Sequence, residues 1–213
     1  MFGELRCGSR LRPQTGIQWI DEQLRSLAIW SGAIAGLLLI LVGSLIQAAF
    51  PLPSSTGITI TNLPVTLQVP ALLLTALVCG PRSALLAAVA YLSLGLLQLP
   101  VFQGGGGASY VLDPGFGYLA GFVPAAWITG KLARQSGMGD LIGLLGASLV
   151  GLAVLQGCGL LNLLLGSLVG NWGGNLVPLL ISYSLAPLIP QILVICAVAP
   201  LALGLRRFVL IEA

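Results

Sequence analysis

Long apolar runs, broken by short polar or Gly/Pro-rich stretches, dominate the chain and set its predicted elements. Continuous apolar sequence covers residues 28–50, 65–79, 84–99, 116–132 and 141–165, and a last run opens at Pro187 and Pro190 and extends to residue 205. Each run is too long and too uniformly apolar for a half-buried strand, so each predicts a helix. The opening stretch differs. There Trp19, Ile20, Leu24 and Leu27 recur at helical spacing beside Asp21, Glu22 and Arg25, which predicts an amphipathic helix lying on a membrane surface. No apolar signal core or cleavage site precedes it. The organisation expected is therefore a segment over residues 1–26 carrying the interfacial helix, followed by a six-helix membrane domain over residues 27–213. The stretch after residue 50, PLPSSTGITITNLP, reads as a connecting loop.

Composition decides the solvent. Hydrophobic residues make up 57% of the chain and charged residues 7%, against about 25% charged in a typical soluble domain. The runs lack the period-two alternation of a membrane β-barrel. The fold class expected is all-α, a polytopic membrane protein with six transmembrane helices. The second and third runs fall short of the ~20 residues that cross a bilayer core, which points to thinning or burial in a larger assembly. No internal repeat marks an inverted-repeat carrier.

Charge then orients the helices. Arg6, Arg10, Arg12 and Arg25 precede the first run, Arg82 separates the second and third, Lys131 and Arg134 follow the fourth, and Arg206 and Arg207 follow the sixth. With six spans, all 9 basic residues fall on one side. By the positive-inside rule that side is the cytoplasm, which holds both the N- and C-termini. The outer connections carry one charge, Asp113.

The same inventory excludes several chemistries. The chain has 0 histidines, and its 4 cysteines are scattered without a Cys-x-x-Cys pair, so no metal site is expected. A Walker motif is missing, the apolar runs contain no ionisable pair, and nothing points to nucleic acid. Such a chain has no energy source and no catalytic pair of its own. What it does have is a set of uncharged polar groups at the outer helix ends: Asn62, Thr66 and Gln68; Gln103, Ser109 and Tyr110 beside Asp113; and Asn171, Asn175 and Gln191. With Tyr110, Phe116, Tyr118 and Trp172 nearby, these suit a small, partly apolar ligand with a neutral head.

One region is specific. Pro64-x-Thr66-x-Gln68 is followed by Gly80-Pro81-Arg82, a Tyr91-x-x-x-Gly95 helix and Leu99-Pro100-Val101-Phe102. A tongue of four glycines and Gly117-Tyr118-Leu119-Ala120-Gly121-Phe122 complete the series. In this order the motifs resemble the BioY family, the biotin-binding S components of energy-coupling factor (ECF) transporters. The resemblance implies a vitamin-capture subunit in the cell membrane that binds biotin and needs no cofactor. It also implies partners that supply energy, namely a transmembrane coupling subunit and two ATPases. Two departures stand out. Asp113-Pro114-Gly115 replaces the family's Gly-Pro-Thr, and Gln191 followed by Ile192, Leu193, Val194 and Ile195 stands where the family's last helix carries an Asp and a Lys. An S component for another vitamin, and an assembly subunit without a ligand, remain open.

The substrate site expected from these residues comprises Thr66, Gln68, Gln103, Gly105, Gly106, Tyr110, Asp113 and Gln191. The glycine tongue is expected to close over it as a lid, because glycine reaches backbone conformations that side chains forbid. The last helix, opening at Pro190-Gln191, is expected to offer its N-terminal dipole to a ligand carboxylate. Ala28, Gly32 and Gly36 recur every four residues, a small-residue face expected to dock the coupling subunit.

Overall fold

A computed structural model describes residues 16–54, 57–97, 99, 101–102, 105–170 and 176–209. Among the described residues the chain forms six helical rods and one hairpin. The first rod, α1 (Gly16–Leu45), carries the amphipathic stretch and the first apolar run in one continuous helix, and ends at Leu45 rather than residue 50. Gly43 near its end allows the close approach that joins α1 to the next helix. A Cβ there would lie 2.8 Å from the carbonyl oxygen of Leu67.

The expected loop is a β-hairpin. Strands β1 (Gln47–Ser54) and β2 (Gly57–Thr66) pair antiparallel from Gln47 opposite Thr66 to Ser54 opposite Gly57, with a register shift between Gln47 and Ala49. Gly57-Ile58-Thr59-Ile60-Thr61 has the alternating β-branched pattern of a strand. Pro51 and Pro53 hid its partner, but in a two-stranded ribbon both strands are edges, where a missing N–H is tolerated.

The second and third rods explain why they are short. Helix α2 (Gln68–Cys79) has 12 residues and packs against α1, α3 (Pro81–Leu96), α5 (Phe122–Leu132) and α8 (Ala186–Val209). Nine residues of α2, from Gln68 to Leu77, are buried. Surrounded by protein, α2 has no lipid thickness to match. Gly80 joins α2 to α3 at φ +87° and ψ −179°, a conformation open essentially to glycine, and Pro81 then starts α3 where a missing N–H costs nothing.

The fourth rod comprises α4 (Phe116–Ala120) and α5, joined through Gly121, and the fifth is α6 (Leu141–Leu168). The sixth begins earlier than Pro187. It runs from α7 (Leu176–Leu180) through a π-helical segment, Ile181–Leu185, into α8. Pro187 and Pro190 have no N–H to donate to the preceding turn, and the widened segment lies at the turn they disrupt. Among the described residues, three helices are long and apolar enough to cross a membrane: Gln23–Leu45, Leu141–Leu168 and Leu176–Phe208. The core between them is built from Leu72, Leu73, Ala76, Ala84, Ala87, Ala88, Ala125 and Ala126. So many alanines let the helix backbones approach closely.

Candidate functional site

A cavity of about 370 Å³ opens at the hairpin end of the bundle, a volume within the range of small-ligand sites. Its walls come from six places: Val65 and Thr66 at the end of β2, Gln68 and Val69 at the start of α2, Tyr110, the α4–α5 rod, Leu155 on α6, and Ser182, Tyr183, Pro187 and Gln191 on the sixth rod. The hairpin earns its place here, because β2 delivers Thr66 to the cavity just before α2 begins at Gln68.

A directed chain of hydrogen bonds crosses the wall. Ser184 Oγ donates to Gln156 Oε1 at 3.1 Å, and Gln156 Nε2 donates to Gln191 Oε1 at 3.0 Å. A serine has one hydroxyl proton, so the 2.7 Å contact between Ser184 Oγ and the Tyr118 hydroxyl is a bond donated by Tyr118. The proton order is thus Tyr118 to Ser184 to Gln156 to Gln191. It occupies the carbonyl oxygen of Gln191 and leaves that residue's Nε2 group as the donor at the cavity wall. Gln68 also lines the cavity. Its side chain is 7% exposed and its Nε2 is buried without a hydrogen-bond partner. Such an unpaired donor costs about 1–3 kcal/mol until an acceptor reaches it.

The tongue is pinned at its base. Tyr91 donates from its hydroxyl to the carbonyl of Val101 at 2.8 Å, and the Phe102 ring packs edge-on against Tyr91 with centroids 5.5 Å apart and over the backbone of Gly95. Phe102 and Gly105 exchange backbone hydrogen bonds, and Gly107 N–H donates to Gly95 at 2.8 Å. Gly105 and Gly107 hold φ +129° and +111°, values that favour glycine. The 3₁₀ turn that follows, Ala108–Leu112, brings Tyr110 to the cavity. Burial, with the neighbouring Asp113 and Tyr183, pushes the Tyr110 phenol up to about 12, so it is a neutral hydroxyl at physiological pH. Asp113 accepts a hydrogen bond from Gly115 N–H at 2.7 Å, an Asx turn closing the segment.

Of the residues expected at the site, Thr66, Gln68, Tyr110 and Gln191 meet in the cavity. Gly105, Gly106 and Asp113 line a shallower depression that shares Tyr110 with it. Gln103 lies outside the described residues, as do Asn171, Trp172 and Asn175. Gln191 sits well inside the sixth rod rather than at its start, so the last helix brings no free N-terminus to it, correcting the dipole expected there. Gly32 and Gly36 face the bundle interior. Cβ atoms there would meet Cys79 and Ser83, and Thr75 and Ala87, while Ala28 is exposed. The glycine stripe therefore packs α1 on α2 and α3.

Gln156, Ser182, Tyr183 and Ser184 were not anticipated. Gln156 was findable: in the apolar helix α6 it and Asn162 carry the only amide side chains, and an amide in such a helix must find a partner. Asn162 finds one in the carbonyl of Pro114 at 3.3 Å.

The other end of the bundle is cationic. Arg206 donates from Nε and Nη2 to the carbonyl of Leu77 at 2.9 and 2.6 Å, and from Nη2 to that of Ala133 at 3.0 Å. Arg134 Nη2 donates to the carbonyl of Cys79 at 3.1 Å. These are the last carbonyls of α2 and α5, which a cation satisfies and whose dipoles it complements.

With this geometry in view, the chain can be compared with known proteins. A family model described as the BioY family matches residues 21–210. A probable biotin transporter BioY of Lysinibacillus sphaericus is 38% identical over 91 residues, 43% of this chain and 41% of that one. A second probable biotin transporter BioY, from Pyrococcus horikoshii, is 37% identical over 97 residues, 45% of this chain and 60% of that one. The matched stretch thus spans about half the length of these curated relatives. The crystal structure of the S component for biotin from an ECF-type ABC transporter superposes with a TM-score of 0.62 at 19% identity, covering 92% of this chain and 95% of that one. At that identity the superposition speaks to the fold. Matched by the family model from the first rod to the end of the sixth, the chain belongs to the BioY family.

Proposed function

We propose that this protein captures biotin at a membrane and presents it to an ECF-type transporter. The observation that carries the reading is Gln68, which lines a cavity sized for a small molecule and whose buried amide donor has no partner. Gln191 offers a second amide donor, and Thr66 and Tyr110 add hydroxyls. Two amide donors suit the carbonyl oxygen of a ureido ring, and Leu119, Phe122 and Leu155 suit its apolar body. The names of the relatives, biotin transporters and an S component for biotin, support the same ligand.

In this reading the protein crosses the cell membrane several times, with both termini and the arginine end in the cytoplasm and the cavity facing out. Residues 1–26 form the cytoplasmic segment, and residues 27–213 the substrate-binding domain. The glycine tongue closes over the occupied cavity, a motion of microseconds to milliseconds for such loops. A transmembrane coupling subunit with two ATPases provides the energy that the chain cannot. Ala28 is the exposed member of the small-residue face on α1 that this partner would meet. Calorimetric titration of the purified protein with biotin tests the reading. One-to-one binding is expected, and silence toward biotin alongside binding of a different vitamin would replace biotin as the ligand.

A further inference from the structure

We propose that the cavity selects a ligand whose carboxyl is masked as an ester or amide over the free acid, so that a neutral biotin derivative binds better than biotin itself. The proposal rests on the biotin reading above and concerns the tail of the ligand rather than its ring.

Three observations lead to it. First, among the described residues the cavity wall contains no charged side chain: its polar groups are Thr66, Gln68, Tyr110, Tyr118, Ser182, Tyr183 and Gln191. No segment at this end can supply a cation either, since no basic residue occurs between Arg25 and Arg82, between Arg82 and Lys131, or between Arg134 and Arg206. Second, two of the cations are committed at the opposite end, where Arg134 and Arg206 hold the carbonyls of Cys79, Leu77 and Ala133. Third, the one charge beside the cavity among the described residues is negative. Gly115 belongs to the wall, and a Cβ on it would lie 3.1 Å from Asp113 Oδ1, 3.2 Å from Tyr183 Cε1 and 3.6 Å from the Tyr110 hydroxyl. The carboxylate is held there by its hydrogen bond from Gly115 N–H. Its field is felt in the wall, since it helps to raise the Tyr110 phenol.

A ligand carboxylate entering this space loses water, finds no counter-ion and approaches a like charge, and each of these disfavours the ionised form. The sixth rod offers no helix N-terminus in compensation, because Gln191 lies within it. An ester or amide carries none of that cost. The amide donors that would hold the ureido ring are indifferent to the tail, so ring recognition and tail preference separate.

The test is calorimetric titration of the purified full-length protein at neutral pH with three probes: biotin, biotin methyl ester and biotinamide. The neutral probes are expected to bind at least about tenfold more tightly than biotin, or about 1.4 kcal/mol. In Asp113→Asn, which keeps the oxygen that accepts from Gly115, the preference is expected to shrink at least threefold. Biotin binding as tightly as the ester, or more tightly, overturns the proposal while leaving the biotin reading intact. Failure of all three probes to bind overturns both. A preference unchanged in Asp113→Asn removes the role given to that carboxylate.

Discussion

The two ends of the bundle solve the same problem in opposite ways. At the arginine end, carbonyls at the ends of α2 and α5 are held by cations: Arg206 alone makes three hydrogen bonds to the carbonyls of Leu77 and Ala133, and Arg134 takes that of Cys79. At the hairpin end the relay from Tyr118 to Gln191 is also ordered, yet Gln68 Nε2 is left unpaired beside a cavity. A satisfied network holds helices together, whereas an unsatisfied donor stores free energy for a ligand to recover. One end is built for stability and the other for recognition. The difference is local, because both ends share α2, which runs from Gln68 to the carbonyls that Arg134 and Arg206 hold.

Substitutions at each end should therefore separate stability from binding. The largest effect is expected for Arg206→Ala, which strips partners from the last carbonyls of α2 and α5 and should cost about 2–4 kcal/mol. Thermal unfolding in detergent reads it, and Arg206→Lys should recover little because a lysine lacks the planar fork that reaches two carbonyls. Biotin affinity of the folded fraction should change less than twofold, and a large loss would show the ends to be coupled. Gln68→Leu should act in reverse. It keeps the volume and removes the donor, so binding should weaken by about 1–3 kcal/mol while the empty protein's melting temperature holds or rises. A fall in both would make Gln68 a structural residue.

A smaller effect is expected in the tongue. Gly105 has φ +129° and open space around its Cα, so Gly105→Ala introduces backbone strain of about 1 kcal/mol without a clash. If the tongue closes as a lid, stopped-flow association and dissociation of biotin should both change. Unchanged rates with lowered stability would reduce the tongue to a rigid brace. The smallest effect concerns pH. Because the folded state holds the Tyr110 proton more tightly than the unfolded chain, its contribution to stability is full below pH 10 and declines as pH rises toward about 12. Stability between pH 7 and 9 should thus not vary with the titration of this phenol, and Tyr110→Phe should diminish the decline above pH 10.

Much of this organisation is legible in the order of residues alone. Apolar runs define helices whatever they pack against, since in lipid an unpaired backbone is too costly for anything but a helix or a closed barrel. Glycine at Gly105 and the Asx turn at Asp113 are likewise local, and the motifs from Pro64 to Phe122 brought Thr66, Gln68 and Tyr110 forward. What tertiary structure decided depends on neighbours. The hairpin needed two strands to pair before prolines in one of them became harmless, and the shortness of α2 made sense only once α1, α3, α5 and α8 enclosed it. Gly32 and Gly36 could have faced outward or inward at the same spacing, and only the packing of Thr75 and Ala87 against Gly36 settled which. The relay from Tyr118 through Ser184 and Gln156 to Gln191 joins residues of three separate rods. Hydrogen-bond partners so far apart in the chain leave no periodicity to read, because their pairing is a property of the assembled bundle.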